Sequence, residues 1–274
     1  MASYTPTTTC NDLASRIADE LSRTDLTSQI QLEINSAILF YASREFWGTE
    51  GSWSTSTVAG QRLYAVDVTF RSISSAIASY NSGNYQYPIL PRTFEYIQAI
   101  DFGLANFNSY PQYFAYQSNE FRFYPPTLGS GTITVYGQVN QLPLVFGQTT
   151  AWAANTTYAA NAYVVDSNNN IQQVSAGGGG QSGSSAPTWA TTLNSTTTDN
   201  ALTWTLVGTL ENFWTTEAEP LIRSRALSQL YARYIKDTEQ AETQATLETQ
   251  SYLRLKKDNI SRGVSSHSVR PTTW

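Results

Sequence analysis

Apolar residues recur every three or four positions at both ends of the chain and every two in its middle. Near the start, Leu13, Ile17 and Leu21 stand four apart with Ala14 and Ala18 beside them, and Asn11 or Asp12 is placed to cap a helix. A second helix begins at Thr24 or Asp25, carries Leu26, Ile30, Ile34, Ala37, Ile38 and Tyr41 on one face, and stops at Gly48 and Gly51. Together they predict a helical hairpin. From Ser52 the period falls to two: Tyr64, Val66, Val68 and Phe70 alternate within Arg62 to Phe70, and strand patterns follow at Phe94 to Phe102, Gln112 to Tyr124 and Thr132 to Val139. Ser118 and Asn119 supply a hairpin turn inside the third of these sets, and Pro125 with Pro126 ends it. Beyond Glu211 the helical period returns in Ala218, Leu221, Ile222, Leu227, Leu230, Tyr231, Tyr234 and Ile235, with Pro220 tolerated in the first turn. This helix runs from Glu217 to Asn259 or breaks once near Asp237, and a polar tail follows from Gly263. The pattern predicts an α+β fold: a helical bundle from both termini, N-terminal hairpin plus long C-terminal helix, with an antiparallel β extension.

Residues 148–210 depart from both periods. No Lys or Arg occurs from 123 to 222, and 175–200 is mostly Gly, Ser, Thr and Asn. Aromatic and branched residues are nevertheless spaced through the segment, enough for a small inserted β domain. The chain then divides into residues 1–147 with 211–274, including a C-terminal tail 263–274, and the insertion 148–210. Trp152, Tyr158, Trp189 and Trp204 have two readings. They are the core of a module too small to do without large side chains, or platforms on which the C–H faces of sugar rings stack. The runs Trp152-x-x-Asn155-x-x-Tyr158, Gly183-Ser-Ser-Ala-Pro-Thr-Trp189 and Asp199-Asn-x-x-Thr-Trp204 resemble small carbohydrate-binding or chitin-binding-like β modules.

Composition narrows the chemistry. Only 14% of the 274 residues are charged while 13% are aromatic, so the chain folds and relies on hydroxyl and amide side chains for its surface. A net charge of −5 does not favour general DNA binding. One His, His267 in a polar run near the end, and one Cys, Cys10 beside a helix cap, exclude a His- or Cys-rich metal centre, a Ser-His-Asp device and an intrachain disulfide. Gly177 to Gly180 lacks the Lys-Ser/Thr ending of a phosphate loop, and no carboxylate pair suited to glycan cleavage stands out. No catalytic residue, cofactor or metal is expected. Nor is a membrane span or a secretory leader, so synthesis and folding in the cytoplasm are expected.

The order of helical hairpin, sheet and long C-terminal helix, with Pro111-x-x-Phe114 leading to Phe121-Arg-Phe-Tyr-Pro125 and later Glu219-Pro-Leu-Ile-Arg-Ser-Arg-Ala-Leu227, resembles the head-to-tail adaptor (head-completion, connector) proteins of tailed bacteriophages. The resemblance covers residues 10–147 and 211–262. It implies a virion structural protein at the head-tail junction: a homo-oligomeric ring, dodecameric, seated under the portal protein and joined to tail or nozzle proteins. Genomic DNA would pass through its channel without specific binding. For portal docking the candidates are Arg254, Lys256, Lys257, Arg262, Val269, Arg270 and Trp274; the bland reading is a set of cations at a helix end followed by a frayed tail. For the ring interface they are Arg225, Arg233 and Lys236, away from the Leu227, Leu230 and Tyr234 face. The alternative function is a carbohydrate-binding surface or tail-fibre-associated protein, with Trp152, Tyr158, Trp189 and Trp204 as glycan contacts.

Overall fold

The structure, a computed structural model, describes residues 9–101, 109–175 and 177–265. The described residues form two compact units, one taking the chain up to Gly48 and again from Gln141, the other Thr49–Asn140.

In the first unit, α1 (Cys10–Leu21) is capped by Thr9, before the expected Asn11 or Asp12. Thr9 accepts from the Asp12 backbone N–H, and the Asp12 carboxylate takes the Thr9 N–H in return. It packs with α2 (Thr27–Ala42) and α4 (Glu219–Leu230), and α4 packs in turn with α5 (Thr238–Ser265). Leu13, Ile17, Ile30, Ile34, Phe46, Trp214, Leu221, Ile222, Leu227 and Leu230 form their common core. Gly48 is required beside it, because a Cβ there would fall 1.9 Å from the Phe213 ring. The C-terminal helix does break near Asp237: a π turn at Tyr231–Ile235 leads to Lys236 in the left-handed region. A π turn holds an extra residue, which swings Tyr234 out to 39% exposure instead of onto the Leu227 and Leu230 face.

The second unit is a curled sheet of seven strands: β1 (Glu50–Ser56), β2 (Leu63–Ala65), β3 (Phe70–Tyr80), β4 (Tyr85–Pro91), β5 (Tyr113–Gln117), β6 (Glu120–Tyr124) and β7 (Gly131–Val139). Their order is β1-β7-β3-β4-β5-β6-β2, antiparallel except for β4 beside β5. Two bulges bend β3 against β7, and Gly137 fits there because a Cβ would lie 2.1 Å from the Ser72 carbonyl oxygen. The curl brings Trp53 of β1 to 5.2 Å from Phe121 of β6, over a core with Phe70, Phe114, Phe123 and Val135. The expected strand at Phe94 to Phe102 is instead α3 (Phe94–Asp101), with Phe102 outside the described residues. Thr93 caps it through Tyr96 N, and Asp101 at its end is held by Arg62 and Arg122. The expected bundle from both termini with a β extension is therefore corrected. Among the described residues thirteen strands stand beside five α-helices, and the large sheet closes its own aromatic core.

Residues 148–210 carry β8 (Thr157–Tyr158), β9 (Tyr163–Val165), β10 (Asn170–Val174), β11 (Gly180–Gln181), β12 (Thr196–Asp199) and β13 (Leu202–Thr209). These form a four-stranded sheet, β12-β13-β10-β9, and a two-stranded ribbon. The buried Asp199 organises the module: it accepts from Trp152 Nε1 (2.9 Å), Trp204 Nε1 (3.0 Å) and Gly183 N (2.7 Å). At the base, Leu144 bridges Thr209, and Asn11 of α1 spans the entering chain, donating to the Gln148 carbonyl and accepting from Gly147 N. Cys10 closes a small core with Ile171 and Leu210 at the same place.

Two expectations follow. Asp199→Ala removes three charge-assisted bonds inside the module and should cost about 3 kcal/mol, read from the tryptophan fluorescence melt. Burial pushes the Cys10 thiol up to about 12, so it stays protonated and enclosed. A disulfide-exchange reagent at about pH 8 should leave it unmodified until denaturant unfolds the chain.

Candidate assembly surface

α2 is apolar on more than its buried side. Ile30, Ile34, Ala37 and Tyr41 face the core, yet Leu32 is 59% and Leu39 72% exposed. Ser28, Asn35, Ser36 and Ser43 are exposed along the same outward line. In sixteen residues the helix has one charge, Glu33, and that is buried and paired with Arg233 Nη1 at 2.9 Å. An outer side with no exposed charge and two widely exposed leucines suits a contact, and here it is open.

Where α2 ends, arginines and aromatic rings gather between it and α5. Arg225 lies 3.4 Å from the Phe40 ring centroid and donates to Glu248 Oε1 at 2.8 Å. Arg44 lies over Tyr252 at 4.7 Å, and Tyr252 stacks on Tyr41. The Tyr41 hydroxyl also donates to Glu248 Oε1, at 2.5 Å. Burial, and then the bond to Glu248, push the Tyr41 phenol above its ordinary range, so it remains a donor. Such interleaved Arg and Tyr side chains are the composition of interface centres.

The predicted ring residues are dispersed. Arg225 joins the cluster just described, Arg233 pins the π turn to α2 through Glu33, and Lys236 is exposed in the turn before α5. Of the docking residues, Arg254, Lys256 and Lys257 are exposed on the last part of α5, and Arg262 lies over the Trp47 ring at 3.6 Å. Val269, Arg270 and Trp274, like His267, lie outside the described residues. In the inserted module Tyr158, Trp189 and Trp204 are buried and Trp152 is half-buried, packed edge to face. The rings of Tyr158, Trp189 and Trp204 are core, with Trp152 packed against them. Among the described residues no group of three or more His, Cys, Asp or Glu could hold a metal ion, and no helix is long and apolar enough to cross a membrane.

The outward face of α2 was not singled out by sequence periodicity, which assigned its leucines no role. The signal available was the lack of charge around the whole helix. The arginine and tyrosine cluster joins residues more than 180 positions apart and had no local signal.

Residues 8–167 match the family of the SU10 adaptor protein, more than half of the chain, and the chain belongs to that family. It is a phage adaptor, a structural protein of the virion and not an enzyme, whose role is association with other head and tail proteins. No curated protein matches it significantly.

Arg225→Ala leaves the half-enclosed Glu248 without its cation. The folded protomer should lose about 2 kcal/mol, less than for a fully buried pair because both groups keep some solvent. Urea unfolding of the variant beside the unmodified chain measures this.

Proposed function

We propose that this adaptor works at the head-to-tail junction as a closed ring, dodecameric, seated under the portal protein, which extends the DNA channel and receives tail or nozzle proteins. The observation that carries the reading is that a chain of the adaptor family offers two unlike exposed features in one unit: the uncharged outer side of α2 and the cationic end of α5. Closure of a ring from identical copies needs two different complementary faces on each. The function is geometric. No side chain takes part in bond making, and no cofactor enters.

Portal docking falls to Arg254, Lys256, Lys257 and Arg262 together with the chain beyond Ser265, where Val269, Arg270 and Trp274 add apolar and cationic anchors. The net charge of −5 suits a channel wall that does not hold on to passing DNA. The inserted module would meet another virion protein through its Thr- and Asn-rich surface; glycan binding has little support, because three of its four aromatic candidates are core.

Electron microscopy of the purified chain, alone and mixed with the portal, tests the reading. Rings that stack coaxially on the portal are expected, and a chain that stays monomeric in both samples would refute it. Truncation after Ser265 should shift the melting temperature of the free protein by less than about 2 °C, since it removes a short terminal segment. The same truncation should abolish attachment to portal-bearing heads in a sedimentation assay.

A further inference from the structure

The outer side of α2 has a counterpart in the same chain. Along α2, Ser28, Leu32, Asn35 with Ser36, Leu39 and Ser43 form an exposed line. Along α5, Thr249, Leu253, Lys256 with Lys257, and Ile260 repeat its spacing, with Leu253 57% and Ile260 60% exposed. Leu255 lies on the other side of α5, buried against the core. In both helices the leading apolar residues stand seven apart, about 10.5 Å, so their side chains can interdigitate. Within one protomer the two lines do not meet. There α2 reaches α5 through Tyr41, which bonds Glu248 and stacks on Tyr252.

We propose, resting on the ring reading above, that the seam between neighbouring protomers is the α5 line of one copy lying antiparallel along the α2 line of the next. Leu39 would meet Leu253 and Leu32 would meet Ile260. The helix dipoles set the direction: antiparallel packing lays the C-terminal end of α2 beside the N-terminal part of α5, and parallel packing aligns like ends. Side-chain charge at the ends of α2 adds no preference, because Asp25 is paired with Arg23 at 2.6 Å and Arg44, which lies over Tyr252 of its own protomer, is followed by Glu45. Lys256 and Lys257 flank the line, their stems covering its edges and their ammonium groups staying at the rim.

Two double variants of the full chain decide it. Leu32→Cys with Ile260→Cys matches the antiparallel seam, and Leu32→Cys with Leu253→Cys matches a parallel one. The native Cys10 is buried and adds no background. A bridge within one chain is out of reach, since Leu32 lies roughly 13 Å along α2 from Tyr41, where α5 is met. After oxidation, non-reducing electrophoresis should give a ladder of linked protomers from the first pair and none from the second. Independently, Leu39→Glu should weaken self-association at least about tenfold by mass photometry, with an unchanged melting temperature. Should that variant fail to fold, the cysteine pairs carry the test alone.

The seam is overturned if the unmodified chain assembles while neither pair links, if the second pair links as well as the first, or if folded Leu39→Glu assembles normally. Failure of the unmodified chain to assemble, alone or with the portal, removes the ring reading itself and the seam with it.

Discussion

The near-complete enclosure of α4 is the constraint on which the helical unit depends. Eight of its twelve residues are buried, three of them polar, so each polar group needs a partner on the spot. Ser224 bonds back to the Pro220 carbonyl, Ser228 donates to Ala241 on α5, and Glu219 takes Arg223 one turn along. The Ser228 bond fixes the return of α5 after the Lys236 turn. With α4 flanked by α2 and α5, those two helices must supply most of the unit's outer helical surface, and the free line of leucines on α2 follows from that placement.

Residues 148–210 depend on a second, smaller closure. Their two ends run side by side at Leu144 and Thr209, and one asparagine side chain at the start of α1 reads the chain on entry. Cys10 N donates to the Leu210 carbonyl at 2.7 Å on the way out. A sixty-residue excursion is thereby anchored to the first turn of the first helix. The first helical turn, through Cys10 and Asn11, thus couples residues 148–210 to the helices.

Much of this was legible in the order of residues. The four-residue spacing of Leu13, Ile17 and Leu21 gave α1, and Ser118-Asn119, both with positive φ, gave the β5–β6 hairpin. β3 was largely hidden because its alternation runs through Ser and Ala (Ser72, Ser75, Ala76, Ala78), side chains that scarcely register as apolar or polar. α3 was misread because in so short a segment Phe94 and Tyr96, two apart, look like a strand, whereas the helical spacing rests on Phe94 with Ile97 and on Ile97 with the polar Asp101, whose ion pairs come from Arg62 and Arg122, distant in the chain. Tyr234 was misplaced by a π turn that leaves no mark in side-chain periodicity. At the assembly surface the cations of α5 were plain in the sequence. The leucines of α2 drew no notice, because spacing places residues around a helix without saying which side is open.

The module hides both of its carboxylates: Asp166 is taken up by Asn168 N, Asn170 N and Gln172 Nε2, and Asp199 by two indoles and a backbone amide. With no Lys or Arg between Gln148 and Leu210, its exterior is electrically silent. Ionic strength therefore has no purchase on whatever the module touches, whereas the cationic end of α5 loses its reach as the Debye length shrinks. Under the proposed docking, the contact at the cationic end of α5 would weaken with salt while a contact of residues 148–210 would not, and a particle built on both could loosen at one end while holding at the other.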